Sequence, residues 1–117
     1  LIDKITILQI KNKFIKNNDQ LKNINNELSI LEPLLKTNKL NTPEINQLLS
    51  ELYKVNMELW EIEDKIREKE RKSDFKDEFI TLARSVYITN DKRAKIKKNI
   101  NLISGSQLIE EKSYAKY

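Results

Sequence analysis

The residues that could do chemistry in this sequence gather around two polar positions on an otherwise apolar helical line. Between Phe79 and Asn101, steps of three and four residues follow one side of a helix, and this side is apolar except at Thr89 and Arg93. A cation that faces a protein core either costs stability or has a partner. Arg93 therefore marks either a binding site or a structural ion pair.

Further polar side chains are predicted near Arg93 when the last two predicted helices fold back on each other. In this register Thr89 lies beside Asn56 and Arg84 lies near Glu61, and a first helix parallel to the last one brings lysines to the same region. Arginine and lysine would bind an anion, and carboxylates would serve proton transfer or a metal ion. The alternative is a network of ion pairs that fixes helix register. The candidate ligand-binding residues are Lys4, Lys11, Trp60, Glu63, Asp64, Arg67, Arg84, Tyr87, Asn90, Asp91 and Arg93.

The composition excludes several kinds of chemistry. The 117 residues contain neither cysteine nor histidine, which excludes disulfides, thiol catalysis and the usual imidazole bases and metal ligands. We predict no cofactor and no metal centre, and we assign no catalytic residue. No apolar run is long enough to span a membrane and no signal peptide is visible, so we expect a cytoplasmic protein with no membrane partner. The sequence starts at Leu1 without methionine, and we expect residues to precede it.

Hydrophobic spacing predicts an all-α protein, an up-down-up antiparallel bundle of three long helices that forms a single domain over residues 1–117. The first helix is predicted over about residues 2–32 and ends before Pro33, which disfavours helical geometry in the residue before it. The second helix is predicted over residues 43–71, with Thr42 as its N-cap and Pro43 in its first position. The third is predicted over residues 74–104. The tail, residues 105–117, is expected to pack back on the bundle.

The start of the first predicted helix is apolar on two sides. Leu1, Ile5, Leu8 and Ile15 form a second apolar line beside the main one. A helix with so wide an apolar arc needs cover on both sides. We expect the cover to come from the tail, from residues before Leu1 or from a second copy of the chain, so self-association is one expected outcome.

Four segments carry polar residues that no helical repeat demands. They are DKITILQIK (Asp3–Lys11), ELWEIEDKIR (Glu58–Arg67), LARSVYITNDKRAKIKKNIN (Leu82–Asn101) and EEKSY (Glu110–Tyr114). Together they resemble an uncharacterised bacterial family of small all-helical proteins, a domain of unknown function. The resemblance implies that these polar residues belong to one set and that such proteins are often encoded near surface-polysaccharide genes. It implies no activity.

Three kinds of function are compatible with the sequence. The first is a non-catalytic binding or protein-interaction module, whose partner would be a small anionic ligand or a second copy of the chain. The helical repeats favour this one. The second is an enzyme acting on an anionic metabolite. Helical chorismate mutases hold a dicarboxylate with arginine and lysine, and helical nucleotide pyrophosphohydrolases hold Mg²⁺ at carboxylate spacings that Glu58, Glu61 and Asp64 match. The third, nucleic-acid binding, is disfavoured because the basic residues around Arg93 point in several directions.

Overall fold

The computed structural model describes residues 1–104, and these residues form four α-helices and no strand. The helices are α1 (Ile2–Phe14), α2 (Asn18–Thr37), α3 (Pro43–Arg71) and α4 (Asp77–Ile103). The all-α prediction is confirmed, and the three-helix bundle is wrong because the first predicted helix is two helices. None of the helices within residues 1–104 has an apolar stretch of the length that crosses a bilayer. The predicted packing of the tail, residues 105–117, lies outside the described residues.

The chain turns between α1 and α2 at a point where the hydrophobic repeat continues. Ile15 has extended backbone angles, φ −76° and ψ 134°, and the side chain of Asn17 accepts a hydrogen bond from the backbone N–H of Gln20 at 3.0 Å. Asn17 thereby satisfies one of the free N–H groups in the first turn of α2. Asn17, a polar residue at helical spacing between the apolar residues Phe14 and Leu21, is therefore a helix cap.

The turn lays α2 back along α1. Ile5 and Leu8 of α1 form a buried cluster with Ile24 and Leu28 of α2. At the edge of this cluster, Lys4 Nζ lies 2.8 Å from a carboxylate oxygen of Glu27. The wide apolar arc predicted for the start of the first helix is thus covered in part by the second half of the segment predicted as the same helix.

Pro33 does not end a helix, contrary to the prediction. It lies inside α2, which continues to Thr37. An internal proline leaves the carbonyl four residues earlier without its N–H donor, but here both Ser29 and Pro33 are exposed, so water can reach that carbonyl. The carbonyl of Pro33 accepts a hydrogen bond from the Thr37 hydroxyl at 3.3 Å.

The last two helices are close to their predicted bounds. α3 spans the predicted residues, and Thr42 Oγ1 caps it by accepting a hydrogen bond from the Ile45 N–H at 3.2 Å. α4 begins at Asp77, three residues later than predicted, and its N-cap is Lys76. Asp74, the first residue of the predicted helix, instead lies before α4, with Oδ2 3.2 Å from Lys69 Nζ. It therefore helps to close the α3–α4 connection.

α1 packs on α3 and runs in the same direction. Near its start, Ile2 lies in a buried cluster with Leu52 of α3 and Ile100 at the far end of α4. At its end, the ring of Phe14 stacks on Trp60, further along α3, with centroids 5.5 Å apart. α1 is therefore antiparallel to α4, and the predicted parallel arrangement of the first and last helices is wrong.

We predict that Asn17→Ala lowers the free energy of unfolding by about 1 kcal/mol, because it removes the side-chain acceptor at the start of α2. Urea unfolding followed by circular dichroism would measure the loss. Asn18→Ala is the matched control, since Asn18 is the adjacent exposed asparagine within the helix, and it should leave the midpoint unchanged or raise it slightly. Equal effects of the two substitutions would contradict a capping role.

Candidate functional site

Arg93 does have a carboxylate partner, and the partner is Asp3 on α1. Arg93 Nε donates a hydrogen bond to Asp3 Oδ1 at 3.2 Å, and Arg93 Nη2 donates to Asp3 Oδ2. Only 22% of the Arg93 side chain and 18% of the Asp3 side chain are exposed. Lys97, one turn further along α4, places its Nζ 3.6 Å from Asp3 Oδ2. Two cations of α4 therefore converge on one carboxylate of α1.

α3 joins the same group through Asn56. The Asn56 amide donates to Asp3 Oδ1 at 3.1 Å and to Thr6 Oγ1 at 2.8 Å. The Thr6 hydroxyl in turn donates to the backbone carbonyl of Asp3 at 2.8 Å. Thr6 and Asn56 are both buried. These five residues, Asp3, Thr6, Asn56, Arg93 and Lys97, form what we call the Asp3 network, and it links α1, α3 and α4.

The Asp3 network holds its carboxylate in the charged form. Burial of Asp3 acts to raise its pKa, but hydrogen bonds from Arg93 and Asn56, together with the positive charges of Arg93 and Lys97, outweigh burial and lower the pKa below its ordinary value of 3.8. Within residues 1–104 no buried side-chain nitrogen or oxygen lacks a hydrogen-bond partner. The polar interior is thus satisfied by its own members.

A groove of about 290 Å³ opens beside the Asp3 network, between α1, α3 and α4. Its apolar lining comes from Ile7, Ile10 and Leu59. Five of the candidate residues also line it, Lys11, Trp60, Glu63, Asn90 and Arg93, together with Asn56. Within residues 1–104, the side chains of Lys11, Glu63 and Asn90 have no hydrogen-bond or ion-pair partner. The groove thus combines apolar walls with polar side chains that make no hydrogen bond or ion pair within residues 1–104.

The structure places the other six candidate residues elsewhere. Lys4 pairs with Glu27 of α2, and Asp64 pairs with Arg67 at 3.1 Å on the exposed side of α3. Arg84, Tyr87 and Asp91 are exposed on α4, where a hydrogen bond to Tyr87 raises the pKa of Arg84. The assumed register between the last two helices predicted that these residues lie close together. In the structure they do not.

Four members of the Asp3 network are absent from the candidate set, and of these only Asn56 was predicted to lie near the site, beside Thr89. Asp3 lies in the first turn of α1, where an acidic residue is already explained by the helix dipole. Lys97 was one of several lysines around Arg93 with no distinguishing position. Thr6 did carry a signal, since it lies between Ile2 and Ile10 at steps of four and is therefore a polar residue on an inner line. The same reasoning that singled out Arg93 would have found Thr6.

Residues 1–117 match DUF6165, a family of unknown function. The chain belongs to this family. It matches neither a curated protein nor a solved structure. The match agrees with the resemblance to an uncharacterised domain drawn from the sequence, and it assigns no residue a role. The function therefore has to be argued from the geometry of the groove and of the Asp3 network.

We predict that Asp3→Asn lowers the free energy of unfolding at pH 7 by about 2 kcal/mol, because it leaves two cations at a half-buried position without their counter-ion. Urea unfolding at pH 7 would measure the loss. Asp64→Asn is the control, since both partners of that ion pair are well exposed, and it should change the stability by no more than about 0.5 kcal/mol. Equal losses in the two variants would show that the Asp3 network stabilises the fold no more than an exposed ion pair does.

The penalty of Asp3→Asn should also depend on pH. Because the pKa of Asp3 is lower in the folded state, its stabilisation is present above the unfolded-state value and is lost as the pH falls through the folded value. The difference in unfolding free energy between the original chain and Asp3→Asn should therefore be constant from pH 7 to about pH 5 and shrink below about pH 4. A difference that stays constant at acid pH would contradict the lowered pKa.

Proposed function

We propose that this chain is a non-catalytic binding module, and that the groove between α1, α3 and α4 binds a small anionic molecule. The observation that carries the proposal is that two cations line the same groove, Lys11 from α1 and Arg93 from α4. Glu63 is the single acidic residue of this lining. Asp3 is shared between Arg93 and Lys97, and Glu63 offsets Lys11, so these groups together keep one net positive charge beside the groove, which suits a carboxylate or a phosphate group.

Arg93 is suited to hold an anion because Asp3 already fixes its plane. A guanidinium group carries five N–H donors in a rigid fork. Asp3 occupies one on Nε and one on Nη2, and no other residue within 1–104 accepts a hydrogen bond from Arg93. The remaining donors belong to a side chain that lines the groove in a set orientation. The Arg93 side chain would therefore lose little conformational entropy when a ligand accepts hydrogen bonds from these donors.

The apolar part of the groove suggests what else the ligand carries. Trp60 lines the groove and is held nearly parallel to the ring of Phe14, at an interplanar angle of 14°. Ile7 and Ile10 lie on the same lining. A volume of about 290 Å³ is at the small end of the range for ligand sites. We therefore propose a compact molecule that joins an apolar or aromatic group to a carboxylate or a phosphate monoester.

The sequence resemblance adds three proposals that rest on it and on composition alone. We propose a bacterial origin, a cytoplasmic location and a gene close to those of surface-polysaccharide assembly. If the gene has that context, sugar nucleotides are reasonable test compounds beside simpler anions, although their size exceeds that of the groove.

Trp60 provides a direct test, because it is the sole tryptophan of the chain and lines the groove. We predict that benzoate, a phenyl phosphate or a nucleoside monophosphate changes the tryptophan fluorescence in a saturable way, whereas chloride at equal ionic strength does not. Lys11→Ala should weaken this binding by about tenfold, the value of one charge-assisted hydrogen bond.

The control for this titration is Lys54→Ala, which removes an exposed lysine of α3 outside the groove lining. It should bind the same compounds as the original chain does. If no anion of the panel, including a sugar nucleotide such as UDP-glucose, changes the fluorescence or the melting temperature, the proposed function is wrong. If Lys54→Ala weakens binding as much as Lys11→Ala, the anion is held by surface charge rather than by the groove.

Catalysis in the same groove is the second candidate, supported by the presence of cations from two helices, Lys11 and Arg93, on one lining. Two cations from different helices could hold both carboxylates of a chorismate-like substrate for a rearrangement that needs no histidine. The metal-dependent alternative has less support, since no three acidic side chains within residues 1–104 come close enough to share a metal ion. Loss of chorismate absorbance at substoichiometric protein would favour catalysis, and binding without turnover would favour the non-catalytic module.

A further inference from the structure

α4 has a second ordered face, opposite the one that packs on the other helices. The inner line, which includes Val86, Thr89 and Ile96, is buried or half-buried. On the other side, steps of three, four or seven residues from Asp77 to Lys98 follow a line of exposed residues. With 3.6 residues per turn this line occupies an arc of about 100°. We call it the outer face, and between its ends it includes Ile80, Arg84, Tyr87, Ile88 and Asp91.

The outer face is apolar at its centre and charged in a fixed order on either side. Tyr87 and Ile88 lie at the middle with 37% and 47% of their surface exposed, and Ile80 is 54% exposed. An acidic and a basic residue, Asp77 and Arg84, lie before the centre. After the centre, Asp91 is nearest to the middle and Lys98 is farthest from it, in the order that complements these two, and Lys95 lies between them at the position that corresponds to Ile80.

This order is self-complementary for two antiparallel copies of the helix. Align the copies so that Tyr87 of one lies opposite Ile88 of the other. Each residue then meets the residue equally far from the centre on the second helix. Arg84 lies opposite Asp91, and Asp77 lies opposite Lys98. Because of the two-fold symmetry each of these pairs occurs twice.

The same charges disfavour the neighbouring alignments. A shift by one heptad in one direction sets Arg84 opposite Arg84 of the second copy. A shift by one heptad in the other direction sets Asp91 opposite Asp91. Like charges directly opposite each other are destabilising. The charge order of the outer face therefore favours one register between two helices. A helix face that only contacts water does not require such an order.

We propose that the outer face of α4 binds a second copy of this chain, helix against antiparallel helix, about a two-fold axis that passes between Tyr87 and Ile88. Tyr87 and Ile88 form the apolar centre, and Ile80 lies under the aliphatic stem of Lys95 of the second copy. The helix of 27 residues is about 40 Å long, enough for several turns of contact. The interface does not include the groove, so it stands or fails independently of ligand binding.

A charge exchange tests the proposal on the full chain. Sedimentation equilibrium over a concentration series should show a reversible monomer–dimer equilibrium for the original sequence. Arg84→Glu or Asp91→Arg alone should raise the dimer dissociation constant by at least about tenfold, because each sets two pairs of like charges opposite each other. The double variant, Arg84→Glu with Asp91→Arg, restores opposite charges and should return the constant to within about threefold of the original.

The double variant makes the test specific. Arg84 and Asp91 are seven residues apart, about 10 Å along the helix axis, so they do not pair within one helix and the rescue requires two chains. Lys92→Glu reverses an exposed charge of α4 outside the outer face and should leave the dissociation constant unchanged. A chain that is monomeric at every concentration overturns the proposal. So does a dimer that neither single reversal weakens, since such a dimer uses another surface.

Discussion

The interaction on which this architecture depends is the ion pair between Asp3 and Arg93, two residues 90 positions apart in the chain. An arginine on the inner line of a helix must be neutralised where it lies, because burying an unpaired charge costs far more than the fold can offset. Asp3 meets this demand only when α1 lies across α3 and antiparallel to α4. The pair therefore fixes the direction and the register of α1, while non-directional apolar contacts would tolerate several arrangements.

Much of the secondary structure followed from local chemistry. The bounds of α3 could be predicted because a threonine cap, a proline in the first turn and a regular apolar repeat all indicate the same helix. The break between α1 and α2 could not be predicted because apolar residues recur at helical spacing on both sides of it, and a single asparagine cap is a weak signal against them. The sequence predicts a helix end before Pro33 because it does not reveal that this side of α2 faces water.

The functional geometry was harder to predict than the helices. Arg93 was found from its position on an inner line, which is a property of one helix and needs no knowledge of its neighbours. Its partner depended on how separate helices pack, and a first helix assumed to be continuous placed α1 in the wrong direction. Arg84 and Asp91 were grouped with Arg93 through the assumed register, although the helical period alone places them on the opposite side of α4. The direction of α1 was therefore an error about tertiary packing, whereas the grouping of Arg84 and Asp91 with Arg93 overlooked a local pattern.

The long sequence separation of the Asp3 network has a consequence for the order of folding. α3 and α4 are joined by a short connection and can form a hairpin early, whereas the contacts of α1 with α4 close almost the whole chain and must come late. The same hierarchy governs opening of the native state. We expect the α1–α2 hairpin to detach as a unit while α3 and α4 stay paired, so that amide hydrogens of α1 exchange with solvent sooner than those at the centre of the α3–α4 hairpin.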